Sequence, residues 1–264
     1  MPVSMEALAA DLAAESAVLR EILAGFAPGG WTLPTPAEGW SVGDQVSHLA
    51  YFDDVAVQSA TSPDAFRAYR DELVAAGGVS PDTIAAKYRR LSGTELLAWF
   101  DVARARLVAT FRGLDPGLRV PWFGPPMSAA SSLTARIMET WAHGQDVADA
   151  VGVVREPTAR LRHVAHIGVG ARAFSYVVNG RAVPEAPVRV ELAAPDGSVW
   201  TWGPPDAPDR VTGRALDFCL AITQRRHRDD LTLEVTGPHA REWMEIGQAF
   251  AGTPGPGRKP GTFS

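Results

Sequence analysis

Cysteine is almost absent from this chain of 264 residues, which contains Cys219 alone. A single thiol excludes an internal disulfide and any zinc site built from several cysteines. Cys219 lies in the apolar run 215–222, where we expect a small buried side chain rather than a nucleophile. Histidine and carboxylate side chains must therefore supply the ligands of any transition-metal site in this protein.

Long apolar runs and an excess of positive charge are also missing. No run approaches the roughly 20 apolar residues that cross a membrane, and the N-terminus lacks the basic start and apolar core of a secretory signal. The net charge is −5, whereas nucleic-acid-binding proteins normally carry a basic surface. We expect a cytoplasmic protein that binds neither membranes nor nucleic acids.

Residues 1–155 predict a helical bundle. Apolar residues recur at helical spacing, and segments rich in Pro and Gly separate the runs. Ser41–Asp44 and Ser92–Glu95 have the spacing of capping boxes, which begin helices. Four long helices with such links describe a four-helix bundle. The long helices are predicted at 4–26, 41–59, 96–114 and 136–150, with shorter helical pieces at 64–76 and after residue 80.

The pattern becomes mixed after residue 155. Residues 188–193 and 199–202 alternate apolar and polar side chains, and Pro195-Asp196-Gly197 between them is a strong hairpin signal. Further helices are predicted at 158–178, 211–223 and 239–250, and a further strand at 230–235.

These patterns together predict an α+β protein with two domains. The helical bundle occupies residues 1–155, and a small α+β domain occupies residues 156–252. The last segment, 253–264, is rich in Pro and Gly and is predicted to be disordered.

One face of the helix predicted at 136–150 carries candidate metal ligands. Glu139 and His143 are four residues apart, so they lie one above the other. His48, about two turns into the helix that Ser41 begins, is our third candidate, because an imidazole on a core-facing stripe needs a bonding partner. Asp146 lies about two turns beyond Glu139 on nearly the same face.

Two histidines and one glutamate suit zinc, and equally nickel, iron or manganese, and they leave positions open for water or substrate. The pattern E-x-x-x-H alone is weak, since Glu139 could lie on a solvated helix face and His143 could be a structural core residue. Asp146 could hydrogen-bond a ligand histidine or lie at the surface.

The segment 115–127 is too rich in Pro and Gly to form a regular element. A loop of this length in a helical bundle often lines a functional site. We therefore expect this loop to help to wall a pocket, with Trp122 or Phe123 against an apolar substrate.

Two segments resemble the signature segments of the DinB-like bundle in mycothiol-dependent maleylpyruvate isomerases. They are Trp40-Ser-Val-Gly-Asp-Gln-Val-Ser-His48-Leu and Glu139-Thr-Trp-Ala-His143-Gly-Gln-Asp146. The resemblance covers about residues 5–155. It implies that His48, Glu139 and His143 ligate a divalent metal, usually zinc.

The region after the bundle resembles the small, sterol-carrier-like α+β domain of the same family. An apolar helix there often ends in Gly-Arg, whereas this chain has Gln224-Arg225. The resemblance implies a substrate contact for Arg225, because an arginine near the metal would suit a substrate carboxylate. A surface arginine is an equally simple interpretation.

The resemblance also implies a reaction. Enzymes of this family use the metal to bind a thiol and lower its pKa, and the thiolate then adds to an electrophile. The chain is thus expected to be a metal-dependent thiol isomerase or transferase, with zinc as cofactor, mycothiol as cosubstrate and a small-molecule substrate. Two other hypotheses stay open: a thiol-independent hydrolase or lyase that uses metal-bound hydroxide, and a non-catalytic protein that holds a metal and a small molecule.

Overall fold

The computed structural model describes residues 4–78, 80–255 and 257–262. The chain forms two compact units, Met1–Arg155 and Glu156–Ser264. Helices make up most of the first unit and the second unit contains a four-stranded sheet, so the predicted α+β class is confirmed. In the described part of the chain, no helix is long and apolar enough to cross a membrane.

Four helices of 20 to 23 residues build the first unit, as the sequence predicts. Each begins at a serine whose hydroxyl accepts a hydrogen bond from a first-turn amide, and the capping boxes at Ser41 and Ser92 are confirmed. Ser128 caps the last long helix, which therefore starts earlier than predicted. The helices are α1 (Met5–Ala24), α2 (Val42–Thr61), α3 (Pro63–Ala75), α4 (Pro81–Tyr88), α5 (Gly93–Arg112) and α6 (Ala129–Val151).

A buried guanidinium joins the four long helices. Arg104 on α5 donates from Nε to Asp53 Oδ2 on α2 at 2.6 Å. Its Nη1 donates to Ser16 Oγ on α1 at 2.6 Å and to Thr140 Oγ1 on α6 at 2.9 Å. Arg104 is 5% exposed and Asp53 is fully buried. Because water cannot solvate these charges, their pairing fixes how α2, α5 and α6 sit against one another.

The loop between α5 and α6 contains one short regular element. Strands β1 (Arg119–Val120) and β2 (Met127–Ser128) pair in antiparallel fashion. The Ser59 hydroxyl on α2 donates to the Pro121 carbonyl, which anchors the loop to the bundle next to Trp122 and Phe123.

The second unit contains a sheet with the strand order β4-β3-β5-β6, in which β3 and β5 are parallel and the outer pairs are antiparallel. The predicted hairpin at Pro195-Asp196-Gly197 is confirmed, with Gly197 at a φ of 82°. The elements are α7 (Leu161–Gly170), α8 (Arg172–Val178), β3 (Val188–Ala193), β4 (Val199–Trp202), β5 (Asp209–Arg214), α9 (Ala215–Ile222), β6 (Glu234–Thr236) and α10 (Pro238–Ile246).

The helix predicted at 211–223 is wrong in its first part. Residues up to Arg214 form β5, and α9 begins at Ala215. The β-branched side chains of Val211 and Thr212 fit a strand that lies between β3 and β6. Pairing on both sides outweighs the helical spacing of the apolar residues.

Three other predictions differ from the structure in extent. The region 158–178 is two helices separated at Ala171 instead of one. Residues Arg228–Asp230 form a 3-10 turn. The strand predicted at 230–235 is therefore shorter and begins later, as β6 (Glu234–Thr236). The last helix ends at Ile246 instead of continuing to residue 250.

Cys219 is fully buried, as predicted, and burial raises the pKa of its thiol. Within the second unit, the described part of the last segment is bonded to an earlier residue, since the Gly261 amide donates to Asp230 Oδ1 at 2.7 Å. The disorder predicted at residues 256, 263 and 264 lies outside the described residues.

Gln224 adopts a left-handed conformation, with a φ of 58°. Its amide donates to the Ala221 carbonyl, and the Arg225 amide donates to the Leu220 carbonyl. These bonds cap α9 in a geometry that glycine adopts without steric cost. The cap gives a physical reason for the glycine that the resembled family often has at this place.

We predict that Arg104→Leu lowers the free energy of unfolding by about 3–5 kcal/mol, because Asp53 stays buried after losing its main partner. Urea denaturation measures this loss. The double variant Asp53→Leu/Arg104→Leu should be more stable than the single one, since no unpaired carboxylate remains. Arg20→Ala is the matched control: it removes an exposed α1–α5 ion pair to Asp101, and stability should hardly change.

We predict that the free energy of unfolding of Gln224→Gly is about 1 kcal/mol higher than that of Gln224→Ala. Only glycine adopts the left-handed backbone conformation without steric strain. Both variants lose the hydrogen bond from Gln224 Nε2 to the Gly247 carbonyl, so the difference between them isolates the backbone contribution. Thermal unfolding of the two variants measures it, and equal stability would contradict the prediction.

Candidate metal centre

Three predicted ligands from two helices converge in the first unit. His48 Nε2 on α2 lies 3.6 Å from Glu139 Oε2 on α6, and His143 Nε2 lies 3.1 Å from the same oxygen. One nitrogen or oxygen of each side chain lies within 4.8 Å of the other two. Their side chains are 10 to 15% exposed. The cluster is shielded from bulk water, yet solvent reaches each of its members.

The spacing of the three atoms fits a divalent ion. At metal–ligand distances of about 2.0–2.1 Å, neighbouring ligand atoms are about 2.8–3.0 Å apart in octahedral coordination and about 3.3–3.4 Å apart in tetrahedral coordination. The distances of the two imidazole nitrogens from Glu139 Oε2, 3.6 and 3.1 Å, are close to these values. Small side-chain adjustments would therefore let one ion contact all three residues.

Burial and neighbouring charges set the protonation of two of the ligands. Burial, together with the charge of His143, lowers the pKa of His48 to about 4, so its imidazole is neutral near pH 7. Burial opposes ionisation of Glu139, but hydrogen bonds with His143 and His48 and the nearby Arg136 charge hold its pKa well below the usual range. A neutral imidazole and a carboxylate are the forms that bind metals.

Arg136 lies one turn before Glu139 on α6. Its Nη2 is 3.9 Å from Glu139 Oε1, the carboxylate oxygen that does not face the histidines, and its Nη1 is 3.9 Å from Asp53 Oδ1. Arg136 is 6% exposed. The charge network of Arg104 and Asp53 thus extends to the cluster. Arg136 is not among the predicted site residues, although its spacing of i, i+3 to Glu139 places both on one helix face.

Gln45 contacts His143 and was also missed. Its Oε1 pairs with His143 Nδ1, and its Nε2 donates to Thr35 Oγ1 at 2.9 Å. Gln45 lies three residues before His48 on a buried helix face. That spacing is the signal that could have found it.

Aromatic rings surround the two imidazoles. The Trp40 ring stacks on His143, with centroids 6.0 Å apart, and lies 5.4 Å from the ring of His48. The Phe52 ring, one turn beyond His48, lies 4.6 Å from it. These apolar faces lower the local dielectric constant around the cluster and strengthen its electrostatic interactions.

The predicted loop residues Trp122 and Phe123 belong to the same aromatic group. Their rings lie 6.2 and 6.1 Å from Phe52, and Trp122 stacks on Phe66 at 6.0 Å. Both are partly exposed. The structure therefore places them one ring away from His48, and their contact with a substrate stays a prediction.

Asp146 and Arg225 have different environments. Asp146 is fully buried on α6. The orienting contact to His143 Nδ1 that could have been its role is made by Gln45, so its part in the centre stays a prediction. Arg225 lies in the second unit, partly buried, and donates to the Thr223 carbonyl at 2.7 Å. Its substrate contact stays a prediction as well.

Known proteins resemble this chain over most of its length. Two uncharacterized proteins of Mycobacterium tuberculosis, from strains CDC 1551 / Oshkosh and ATCC 25618 / H37Rv, are each 46% identical over 253 residues. These alignments cover 94% of this chain and 97% of each relative.

Crystal structures of the mycothiol-dependent maleylpyruvate isomerase and of a histidine-to-alanine mutant of it share the fold. Their TM-scores are 0.58 and 0.59 at 17% identity, over 90% of this chain and 96% of theirs. At this identity the likeness is one of fold alone.

Two family models match parts of the chain. One, described as wyosine base formation, covers residues 184–234 in the second unit. The other, described as the mycothiol maleylpyruvate isomerase N-terminal domain, covers residues 12–148, which is just over half of the chain and includes all three clustered residues. The chain therefore belongs to the family of the mycothiol maleylpyruvate isomerase N-terminal domain.

Proposed function

We propose that this protein is a divalent-metal-dependent enzyme that uses mycothiol to isomerise a small electrophilic substrate or to transfer the thiol to it. The observation that carries the proposal is the convergence of His48, Glu139 and His143 within 4.8 Å of one another. The family to which the chain belongs is named for a mycothiol-dependent isomerase, and that name supports the choice of thiol.

His48, Glu139 and His143 would hold the ion, with zinc as the first choice for two imidazoles and one carboxylate. Three protein ligands leave room for one more, as in catalytic rather than structural zinc sites. The bound ion would lower the pKa of a coordinating thiol, so that the thiolate is available near neutral pH.

The residues around the three ligands would set the charge of the site, shield it and contact the substrate. Arg136 neutralises the Glu139 oxygen that faces away from the histidines, which leaves the other oxygen to the ion. Trp40 and Phe52 would limit the access of water to the faces of the imidazoles. Trp122 and Phe123 would pack against an apolar part of the substrate or cosubstrate, since both rings are partly exposed next to Phe52.

We predict that the protein, purified without chelators, contains about one equivalent of a divalent metal per chain, and that His48→Ala and His143→Ala lose it. Elemental analysis by mass spectrometry measures the content. His239→Ala, in the second unit, is the control and should retain the metal. A wild-type protein that holds no metal and takes up neither zinc, nickel nor manganese would contradict the proposal.

We predict that the metal-loaded protein turns over a conjugated electrophile, with maleylpyruvate as the first compound to test, only when mycothiol is present. His143→Ala should lower kcat/KM by at least about 100-fold, because the ion is lost. Absorbance of the conjugated substrate and liquid chromatography of the products follow the reaction. Turnover at the same rate without a thiol would instead support the hydrolase or lyase hypothesis, in which metal-bound hydroxide reacts.

A further inference from the structure

Gln45 is a fully buried amide with a polar partner at each end. One end meets His143 Nδ1, and the other meets the hydroxyl of Thr35, which is 9% exposed. The Thr35 hydroxyl in turn lies 2.9 Å from the Trp40 carbonyl. The four groups form a chain of hydrogen bonds that begins at the backbone and ends at a candidate metal ligand.

The direction of every bond in this chain follows from its first member. The Trp40 carbonyl can only accept, so the Thr35 hydroxyl donates its single proton to it. Thr35 Oγ1 must then accept from Gln45, which places the Gln45 NH2 group on that side. The Gln45 carbonyl oxygen is left facing His143, and Nδ1 of His143 carries a proton to donate to it.

This order of donors determines which His143 nitrogen is free. With the proton on Nδ1, a neutral imidazole presents the lone pair of Nε2 to Glu139 Oε2, 3.1 Å away. A lone pair and a carboxylate oxygen repel each other at this distance unless a proton or a metal cation lies between them. A metal ion held between the two side chains would supply that cation.

The Trp40 carbonyl, at which this chain of hydrogen bonds begins, is itself held in place. The Trp40 carbonyl also accepts from the Thr35 amide at 2.8 Å, and the Val42 amide donates to the Leu33 carbonyl at 3.0 Å. The Trp40 side chain, from the same short turn, stacks on the His143 ring. The turn that precedes α2 therefore fixes the tilt of this imidazole as well as its proton.

We propose that Thr35 and Gln45 are positioning residues that fix the tautomer and orientation of His143 and thereby set the metal affinity of the cluster. The inference rests on the proposed metal-dependent function. It adds two residues from outside the ligand set that act on the metal through His143.

Zinc affinity, measured by competition with a chromogenic chelator, tests the proposal without an activity assay. Gln45→Leu removes the acceptor at nearly constant volume and should weaken zinc binding by about 10–100-fold. Thr35→Val frees the Gln45 amide to rotate and should weaken it by a smaller factor. Gln45→Glu keeps an acceptor for Nδ1–H and should bind zinc at least as tightly as the wild type. Gln145→Leu is the matched control, since Gln145 is also buried on a bundle helix but donates to Asp149.

Nitrogen-15 NMR of the histidine side chains in the metal-free protein gives a second readout. The wild type should show His143 protonated at Nδ1, and Gln45→Leu should show a shift towards the other tautomer. Unchanged zinc affinity and tautomer in Gln45→Leu would overturn the proposal, as would a loss of affinity in Gln45→Glu equal to that in Gln45→Leu.

The same experiment separates the two levels of inference. A wild type that takes up no zinc would overturn the metal-dependent function and this proposal together. A zinc-binding wild type with an unaffected Gln45→Leu would overturn the positioning role alone. Should Gln45→Leu not fold, as judged by circular dichroism, the comparison of Gln45→Glu with Thr35→Val decides in its place.

Discussion

The buried pairing of Arg104 with Asp53 is the constraint on which the first unit depends. Arg104 reaches all four long helices, and its partner lies little more than one turn beyond His48. Thr140, another partner, directly follows Glu139. The ionic centre of the bundle and the candidate metal centre therefore lie next to each other. Whatever holds α2 against α6 for stability also holds His48 close to Glu139 and His143, so stability and ligand geometry share one set of contacts.

Local sequence signals were sufficient for much of this organisation. Serine caps, helical spacing and the hairpin at 195–197 predict the elements, and the spacing of Glu139 and His143 on one helix gives two of the three clustered residues. The third, His48, came from a burial argument and a family resemblance, because no local rule links residues on different helices. The errors have the same origin. The β5 segment reads as helix by its spacing, and only pairing with β3 and β6 makes it a strand. Gln45 becomes significant only when His143 lies opposite it.

The two units contribute differently to what is known of the protein. The family match covers the bundle, with its candidate ligands, its aromatic rings and its charge network. The second unit carries Arg225 directly after Gln224, whose left-handed backbone ends α9. A cap of this kind fixes the direction in which the backbone leaves the helix. It therefore also fixes the backbone position from which the Arg225 side chain extends. A glycine at this position would adopt the same turn at a lower energetic cost than Gln224 does.

The shared oxygen of Glu139 has a consequence for metal discrimination. Arg136 lies near one carboxylate oxygen, and the two imidazoles face the other. The proposed centre thus offers two nitrogens and a single oxygen, with little excess negative charge. Magnesium and calcium demand six or more oxygen ligands and keep their water shells when fewer are offered. A site built in this way would bind magnesium and calcium weakly. It would favour the softer transition-metal ions, for which nitrogen is the preferred donor.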